Sequence, residues 1–246
     1  MTRVAIHTAI SLSSTTREAW KAHGAIMLRS DRSLNANIIR ARELGADLLL
    51  NYGSHSDIRE EDREFVWNPP ELIRELAHPG AFRRKLGDLV VPRPEEYPAD
   101  IWIKAPGQAG RGKTRIRTEG ALSELPPSWD WQAHIEGTEY RAVTVGNKIV
   151  QGFQREGENN ARDYIWTGVN RLPERIKHSI RTALQRSNGE GGRDDESEPL
   201  FRTVLAWDTI LTEGGEAYLF EANSAPGLSE PTAGRIVSLI DRLLND

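Results

Sequence analysis

The chain has 246 residues and no cysteine, which removes disulfides, thiolate metal sites and cysteine nucleophiles together. It has no apolar run near the ~18 residues of a membrane span. It has no basic excess either: the net charge is −4, and a dedicated nucleic-acid binder needs a basic face. Its six histidines (His7, His23, His55, His78, His134 and His178) are scattered without metal-ligand spacing. There is no internal repeat. Met1 to His7 reads as a first strand and not as the apolar stretch of an export signal, so the expectation is a soluble cytoplasmic protein with neither membrane nor nucleic acid as partner. Apolar residues, 38% of the chain, suffice for one large domain or for two or three small ones around a shared cleft.

The first 80 residues alternate short strands with helices. Val4–Thr8, 25–28 and 47–51 are apolar, β-rich runs, while 14–23 and 35–44 have helical spacing, the second with Ile38, Ile39, Ala41 and Leu44 as its apolar stripe. This order predicts a small parallel sheet covered by helices. Asn68-Pro69-Pro70 punctuates, and a helix over 71–77 follows. Beyond Pro92 the texture changes. Residues 101–104, 114–118, 129–135, 139–145 and 148–155 read as closely spaced strands, then 175–186 as a helix, 200–211 and 216–222 as a strand pair, and the C-terminus as a helix with Ile236, Leu239, Ile240, Leu243 and Leu244 turned to the core. Closely spaced strands favour antiparallel meanders and an α+β second half. Residues 187–199, polar and acidic with three glycines, read as a mobile loop with nothing to bury.

The segment richest in chemistry is Ile101-Trp102-Ile103-Lys104-Ala105-Pro106-Gly107-Gln108-Ala109-Gly110-Arg111-Gly112-Lys113-Thr114. Gly107, Gly110 and Gly112 let backbone N–H groups approach an anion, and Lys104 and Lys113 add charge. A plain glycine-rich turn with solvated basic residues is one reading. Gly107 to Thr114 also spells the P-loop pattern G-x-x-x-x-G-K-[ST] of an ATPase or kinase. A P-loop must run into a helix, whereas Thr114 to Thr118 alternates like a strand. In a third reading Lys104 ends an apolar strand and reaches the phosphates while the glycine hairpin closes over them.

Two later segments bear on the choice. Trp131 to Arg141 contains a polar residue, Gln132, and an acid, Glu139, seven positions apart around a Glu136-Gly137 turn; alone this could be a charged surface hairpin. Asp208 ends one apolar strand and Glu221-Ala222-Asn223 ends the next, thirteen positions on. Antiparallel pairing brings those oxygens to one sheet face, because Glu221 and Asn223 differ by two. An all-oxygen cluster of that kind suits magnesium, although a polar hairpin end could look the same. Arg141 lies two residues after Glu139, hence on its face, and Arg155 falls late in the next strand; either could be a surface arginine. Ser54, in the loop after the third strand, sits at the kind of sheet edge where substrates bind, and the triad letters Ser54-His55-Ser56-Asp57 are sequence neighbours without triad geometry.

Taken in order, Lys104, the glycine hairpin, Gln132 with Glu139, Asp208, and Glu221 with Asn223 resemble the ATP-grasp superfamily, to which glutathione synthetase, D-alanine–D-alanine ligase and ribosomal-protein glutamate ligases belong. The resemblance covers about residues 85–230 and implies an α+β ATP-grasp fold. Its parts would be a small N-terminal α/β domain (1–80), a central lid with the glycine loop (81–130) and a C-terminal subdomain with the metal site (131–246). It implies a carbon–nitrogen ligase that uses ATP and two Mg2+ ions, with Mn2+ as a substitute, on a small-molecule, peptide or protein carboxylate and an amine. Gln132 and the backbone of Ala133, His134 and Ile135 would read adenine, Glu139 the ribose, and Lys104, Lys113 and the loop glycines the phosphates. Asp208, Glu221 and Asn223 would hold metal, and Arg141 and Arg155 the transferred phosphate. Ser224 and Gly227, in Ser224-Ala225-Pro226-Gly227-Leu228, would line the substrate side. The family's additional α-phosphate lysine would be Lys85, only nineteen positions before Lys104, which implies a trimmed lid. A non-catalytic ATP-binding module is the remaining alternative, and the acid cluster argues against it.

Overall fold

The computed structural model describes residues 2–9, 12–92, 101–104, 113–116, 130–155, 164–187 and 202–245. Near the N-terminus, β1 (Val4–Thr8), β2 (Ile26–Met27), β3 (Leu48–Tyr52) and β4 (Val66–Trp67) form a parallel sheet in the order β2-β1-β3-β4. Every residue of β1 and β3 is buried, as expected of parallel strands covered on both faces. Helix α1 (Ser14–Ala22) puts Trp20 against Val4, Ile6, Leu48 and Leu50; α2 (Leu34–Glu43) packs Leu34, Ile38 and Ala41 on Ala5 and Leu49. Serines cap both helices: Thr16 N donates to Ser13 Oγ and Ala36 N to Ser33 Oγ, each at 3.2 Å. The stripe expected on α2 needs one correction. Ile39 is 53% exposed, since it falls about 100° from Ile38 on the helix and faces outward.

Two helices follow. α3 (Pro70–Ala77) matches the sequence reading, but α4 (Pro79–Leu86) does not appear in it. Pro79 is the first residue of the helix, where a missing N–H costs nothing. Leu76, Phe82 and Leu86 of this pair pack with Ile180, Leu219 and Ala222 from the C-terminal part of the chain.

A three-stranded antiparallel sheet, β6-β5-β7, is built from β5 (Ile101–Lys104), β6 (Lys113–Ile116) and β7 (Asp130–Ala133). The residues after Lys113 are therefore strand and not helix, which corrects the P-loop reading of Gly107–Thr114: no helix N-terminus follows the lysine to receive a phosphate.

The largest sheet is antiparallel with the order β10-β9-β8-β11-β12, from β8 (Thr138–Val145), β9 (Lys148–Arg155), β10 (Tyr164–Trp166), β11 (Val204–Leu211) and β12 (Ala217–Asn223). One face carries Tyr140, Ala142, Leu205, Trp207, Leu219 and Ala222 and is covered by α5 (Glu174–Ser187) together with α3 and α4. On the other face Val143, Val145, Val204 and Ala206 meet β1, α1 and α6 (Glu230–Asn245). Gly152 of β9 lies so close to Leu172 that a Cβ there would stand 2.5 Å from its Cγ. No helix among the described residues is long and apolar enough to cross a membrane.

Candidate active site

The half of that second face beyond Val143 and Ala206 holds the polar residues. The register sets Arg141 opposite Asp208 and Asp208 opposite Glu221, and Tyr140 opposite Gln154, so Glu139 comes level with Arg155. Alternation then places Glu139, Arg141, Arg155, Asp208, Glu221 and Asn223 together. Asp208 does not end its strand, as the sequence suggested; β11 continues through Leu211. A β-bulge in the β11–β12 pairing explains how a mid-strand acid still meets Glu221. Thr209 pairs with Leu219 and Asp208 with Glu221, so Phe220 is the extra residue. The bulge resets the alternation: Leu219 and Ala222, three apart, share the apolar face, while Glu221 and Asn223 turn to the other.

The arginines are held by the acids. Arg141 Nε and Nη2 donate to Asp208 Oδ1 and Oδ2 at 2.5 and 2.7 Å, a forked pair. Arg155 Nη1 donates to Glu139 Oε2 at 2.6 Å. Asn223 Nδ2 donates to Glu221 Oε1 at 3.1 Å and to Asp208 Oδ2 at 3.3 Å, bridging the two carboxylates. Burial pushes the Asp208 carboxyl above the usual carboxylate range, the Arg141 guanidinium opposes that rise, and the neighbouring Glu221 adds to it. The buried Asp208 carboxyl facing the half-buried Glu221 beside an amide oxygen makes a site that favours further positive charge. That donor set fits a hard, oxygen-seeking divalent cation.

Gln132 and Ala133 are buried at the end of β7, and Ala133 N donates to Pro92 O at 3.1 Å. Ile135 packs with Val91, Ala133 and Ile210 against Tyr218 and Phe220, an apolar cluster next to Glu139, which pairs with Ile210 in register. The turn between them requires glycine. A Cβ on Gly137 would lie 2.3 Å from Leu211 O, so the backbone can close here only without a side chain. Lys104 and Lys113 stand opposite each other in the β5–β6 register. Gly107, Gly110 and Gly112 lie outside the described residues, as does the acidic segment from residue 188 on. Lys85 sits on α4, where its ammonium is paired with Glu75 of α3.

The segment after Asn223 is gripped by side chains from the N-terminal sheet. Asn68 Nδ2 donates to Ser224 O at 3.2 Å, Tyr52 Oη to Pro226 O at 2.9 Å, and Leu228 N donates to Thr16 Oγ1 at 3.1 Å. Asn68 is fully buried at φ 56°, a left-handed conformation that asparagine tolerates better than most residues. It also donates to Asn51 O and Val204 O and accepts from Val204 N at 2.7 Å. Burial pushes the Tyr52 hydroxyl far up, so it stays a neutral donor. Sequence reading treated Asn68 as punctuation and did not single out Thr16 or Tyr52; nothing short of the fold brings them to a loop more than 150 residues away. Gly227 is exposed in that loop. Ser54 is buried, its N donating to Asn51 Oδ1 at 3.0 Å and its Oγ accepting from Ser56 N at 3.3 Å.

No family model matches this chain, and no curated protein matches it. Solved structures do. D-alanine–D-alanine ligase from Bacillus anthracis aligns over 98% of this chain and 97% of its own with a TM-score of 0.64 at 12% identity. N5-carboxyaminoimidazole ribonucleotide synthetase from Thermotoga maritima aligns over 91% of this chain and 68% of its own, with a TM-score of 0.56 at 15% identity. The ATP-grasp ligase PsnB, complexed with its minimal precursor, aligns over 97% and 99% with a TM-score of 0.54 at 12% identity. Together with the sheet orders and the polar face between them, these likenesses establish that the chain has the ATP-grasp fold.

Proposed function

We propose that the chain is an ATP-dependent carbon–nitrogen ligase, which converts a carboxylate into an acyl phosphate and passes the acyl group to an amine, releasing ADP and phosphate. The observation that carries this reading is the facing pair Asp208 and Glu221, bridged by Asn223 and flanked on the same sheet face by Arg141, Glu139 and Arg155. Such a face answers the charge of a triphosphate and of the carboxylate that attacks it.

In this reading the buried Gln132 and the backbone to Ile135 receive adenine against the Ile135, Ile210 and Phe220 cluster, and Glu139 accepts from the ribose hydroxyls. Lys104 neutralises the inner phosphates, and the hairpin of Gly107, Gly110 and Gly112 with Lys113 closes over them. Asp208, Glu221 and Asn223 would hold one or two Mg2+ ions, with Mn2+ as a substitute, and the metal's contribution there is neutralisation of the β/γ-phosphate charge. Arg141 and Arg155 bring guanidinium charge to the same sheet face as the acids, and a guanidinium suits phosphoryl and carboxylate oxygens alike. The substrate carboxylate oxygen attacks the γ-phosphorus, the bond to the β-phosphate oxygen breaks, and ADP leaves with the electron pair. The amine then attacks the acyl carbon, the carbon–oxygen bond to phosphate breaks, and an amide forms as the nitrogen's proton is lost. The chain's part is positioning and electrostatics, as for phosphoryl transfer generally. The acid would lie between the Ser224–Leu228 loop and the sheet edge near Ser54, and it is a small-molecule, peptide or protein carboxylate.

The test is trapping. With ATP, Mg2+ and hydroxylamine, pools of candidate acids should yield a hydroxamate of the true substrate, together with ADP and phosphate. Release of AMP and pyrophosphate with that acid present would refute the acyl-phosphate route.

A further inference from the structure

A second polar concavity lies at the other end of the large sheet. The C-terminus of α1, the start of β9 and one face of α6 enclose a groove of about 560 Å³, within the size range of small-molecule sites. Lys148 and Arg155 stand at opposite ends of β9, so the groove opens roughly 23 Å from the candidate active site along that strand at ~3.3 Å per residue.

Its chemistry is one-sided. His23, Lys148, Arg235 and Arg242 line it, and among the described residues no carboxylate does, in a chain whose net charge is −4. Arg235, Ser238 and Arg242 follow at helical spacing on one face of α6. Two details show that the cations are arranged and not merely crowded. Arg235 Nη1 donates to Oε1 of the fully buried Gln151 at 2.6 Å, which fixes the guanidinium at the groove wall. Gly234 leaves room for the His23 ring, since a Cβ at that position would stand 2.6 Å from His23 Cε1; His23 Nε2 in turn bonds Glu230 O at 3.1 Å. Between the cations the lining is apolar, with Ile149, Val150 and Leu239.

We propose that this groove is a binding site for a small organic anion, its apolar body on Val150 and Leu239 and its oxyanion head on Arg235, Arg242 and Lys148. A fork of guanidinium donors suits phosphate and carboxylate alike, so the head group is one of these. This site is independent of the ligase reading and stands or falls separately.

Phenyl phosphate, benzoate, inorganic phosphate and neutral benzamide serve as probes in amide NMR titrations of the full chain. Phenyl phosphate or benzoate should shift the signals of residues 148–150 and 234–242 saturably, and the tighter of the two names the head. Inorganic phosphate should bind more weakly by about tenfold, and benzamide not at all within the same range. Arg235→Glu and Arg242→Glu should each weaken the preferred probe by about tenfold or more. Ser238→Trp, which fills the groove and keeps its charge, should do the same, with thermal unfolding confirming that each variant is folded. No saturable shift with either probe, shifts confined to residues 138–145, 152–155 and 208–223, inorganic phosphate as tight as phenyl phosphate, or unchanged affinity in folded Arg242→Glu and Ser238→Trp variants would each overturn the proposal.

Discussion

The parallel and the antiparallel sheet solve different problems with the same alternation. In β1 and β3 every side chain is buried, and both faces meet helices, so each strand opens on an unbroken apolar run, Val4 to Ile6 and Leu48 to Leu50. In the large sheet one face is mainly apolar under α3, α4 and α5, whereas the other changes character partway: Val143 and Ala206 pack on the N-terminal unit, and one pleat further Arg141 and Asp208 do not. A charged pair one step from a valine core costs stability, which makes the polar half of that face the part of the molecule least explained by folding alone.

The sharpest way to break this contrast is at the acids. Glu221→Gln or Asp208→Asn should lower ADP formation by roughly 10²- to 10³-fold while leaving a folded protein, since on the proposed reading each removes charge beside the transferring phosphate; full activity of a variant in a coupled ADP assay would remove that residue from the machinery. Asp208 also carries a sign. Its folded carboxyl titrates above the ordinary range, so the folded state binds the proton more tightly, and this stabilising contribution is complete below the unfolded value and lost as pH rises through the folded one. Asp208→Asn should flatten that fall in a urea-unfolding series across the carboxylate range.

Asn68→Ala comes next and acts on the parallel sheet's side. It strips partners from Asn51 O, Val204 O, Ser224 O and Val204 N in the interior, and each buried group left unpaired costs roughly 1–3 kcal/mol, so a loss of about 3 kcal/mol or more is expected in equilibrium unfolding. Glu139→Ala should weaken binding of an ATP analogue with Mg2+ by roughly 1.5–3 kcal/mol, the range for hydrogen bonds to a charged acceptor, without abolishing it; calorimetric affinity equal to wild type would detach Glu139 from the ribose. Smallest of all, Ile39→Ser on the outer face of α2 should change stability by no more than about 0.5 kcal/mol, because the side chain is already in solvent.

Much of this was readable in advance, for physical reasons that differ by element. Period-two and period-3.6 patterns are local, so most strands and helices could be placed from the chain alone, β4 and β10 being too short to show a period, and the strand after Lys113 told against a P-loop. What escaped was whatever depends on distant partners. α4 hides behind a Pro-Gly pair that its capping turns into a helix start. Asp208 looked like a strand end because a charge usually marks one, and only the Phe220 bulge reconciles its position within β11 with the pairing to Glu221. Lys85 pairs with Glu75 of the preceding helix, a partner that only the packing of α3 on α4 supplies. Asn68, Tyr52 and Thr16 gave no signal at all, since their partners are backbone atoms supplied by the far end of the chain.

That last grip has a consequence for how the molecule could change over time. Asn68, Tyr52 and Thr16 hold the Ser224–Leu228 segment by its carbonyls and one amide, atoms that every residue supplies whatever its side chain. The loop's placement is thereby uncoupled from its lettering. Ser224, Ala225 and Gly227 can be rewritten, in a laboratory or in a lineage, without releasing the backbone from its anchors, so on the proposed reading a new preference for the acid would be a matter of a few side chains on a bracket that stays put.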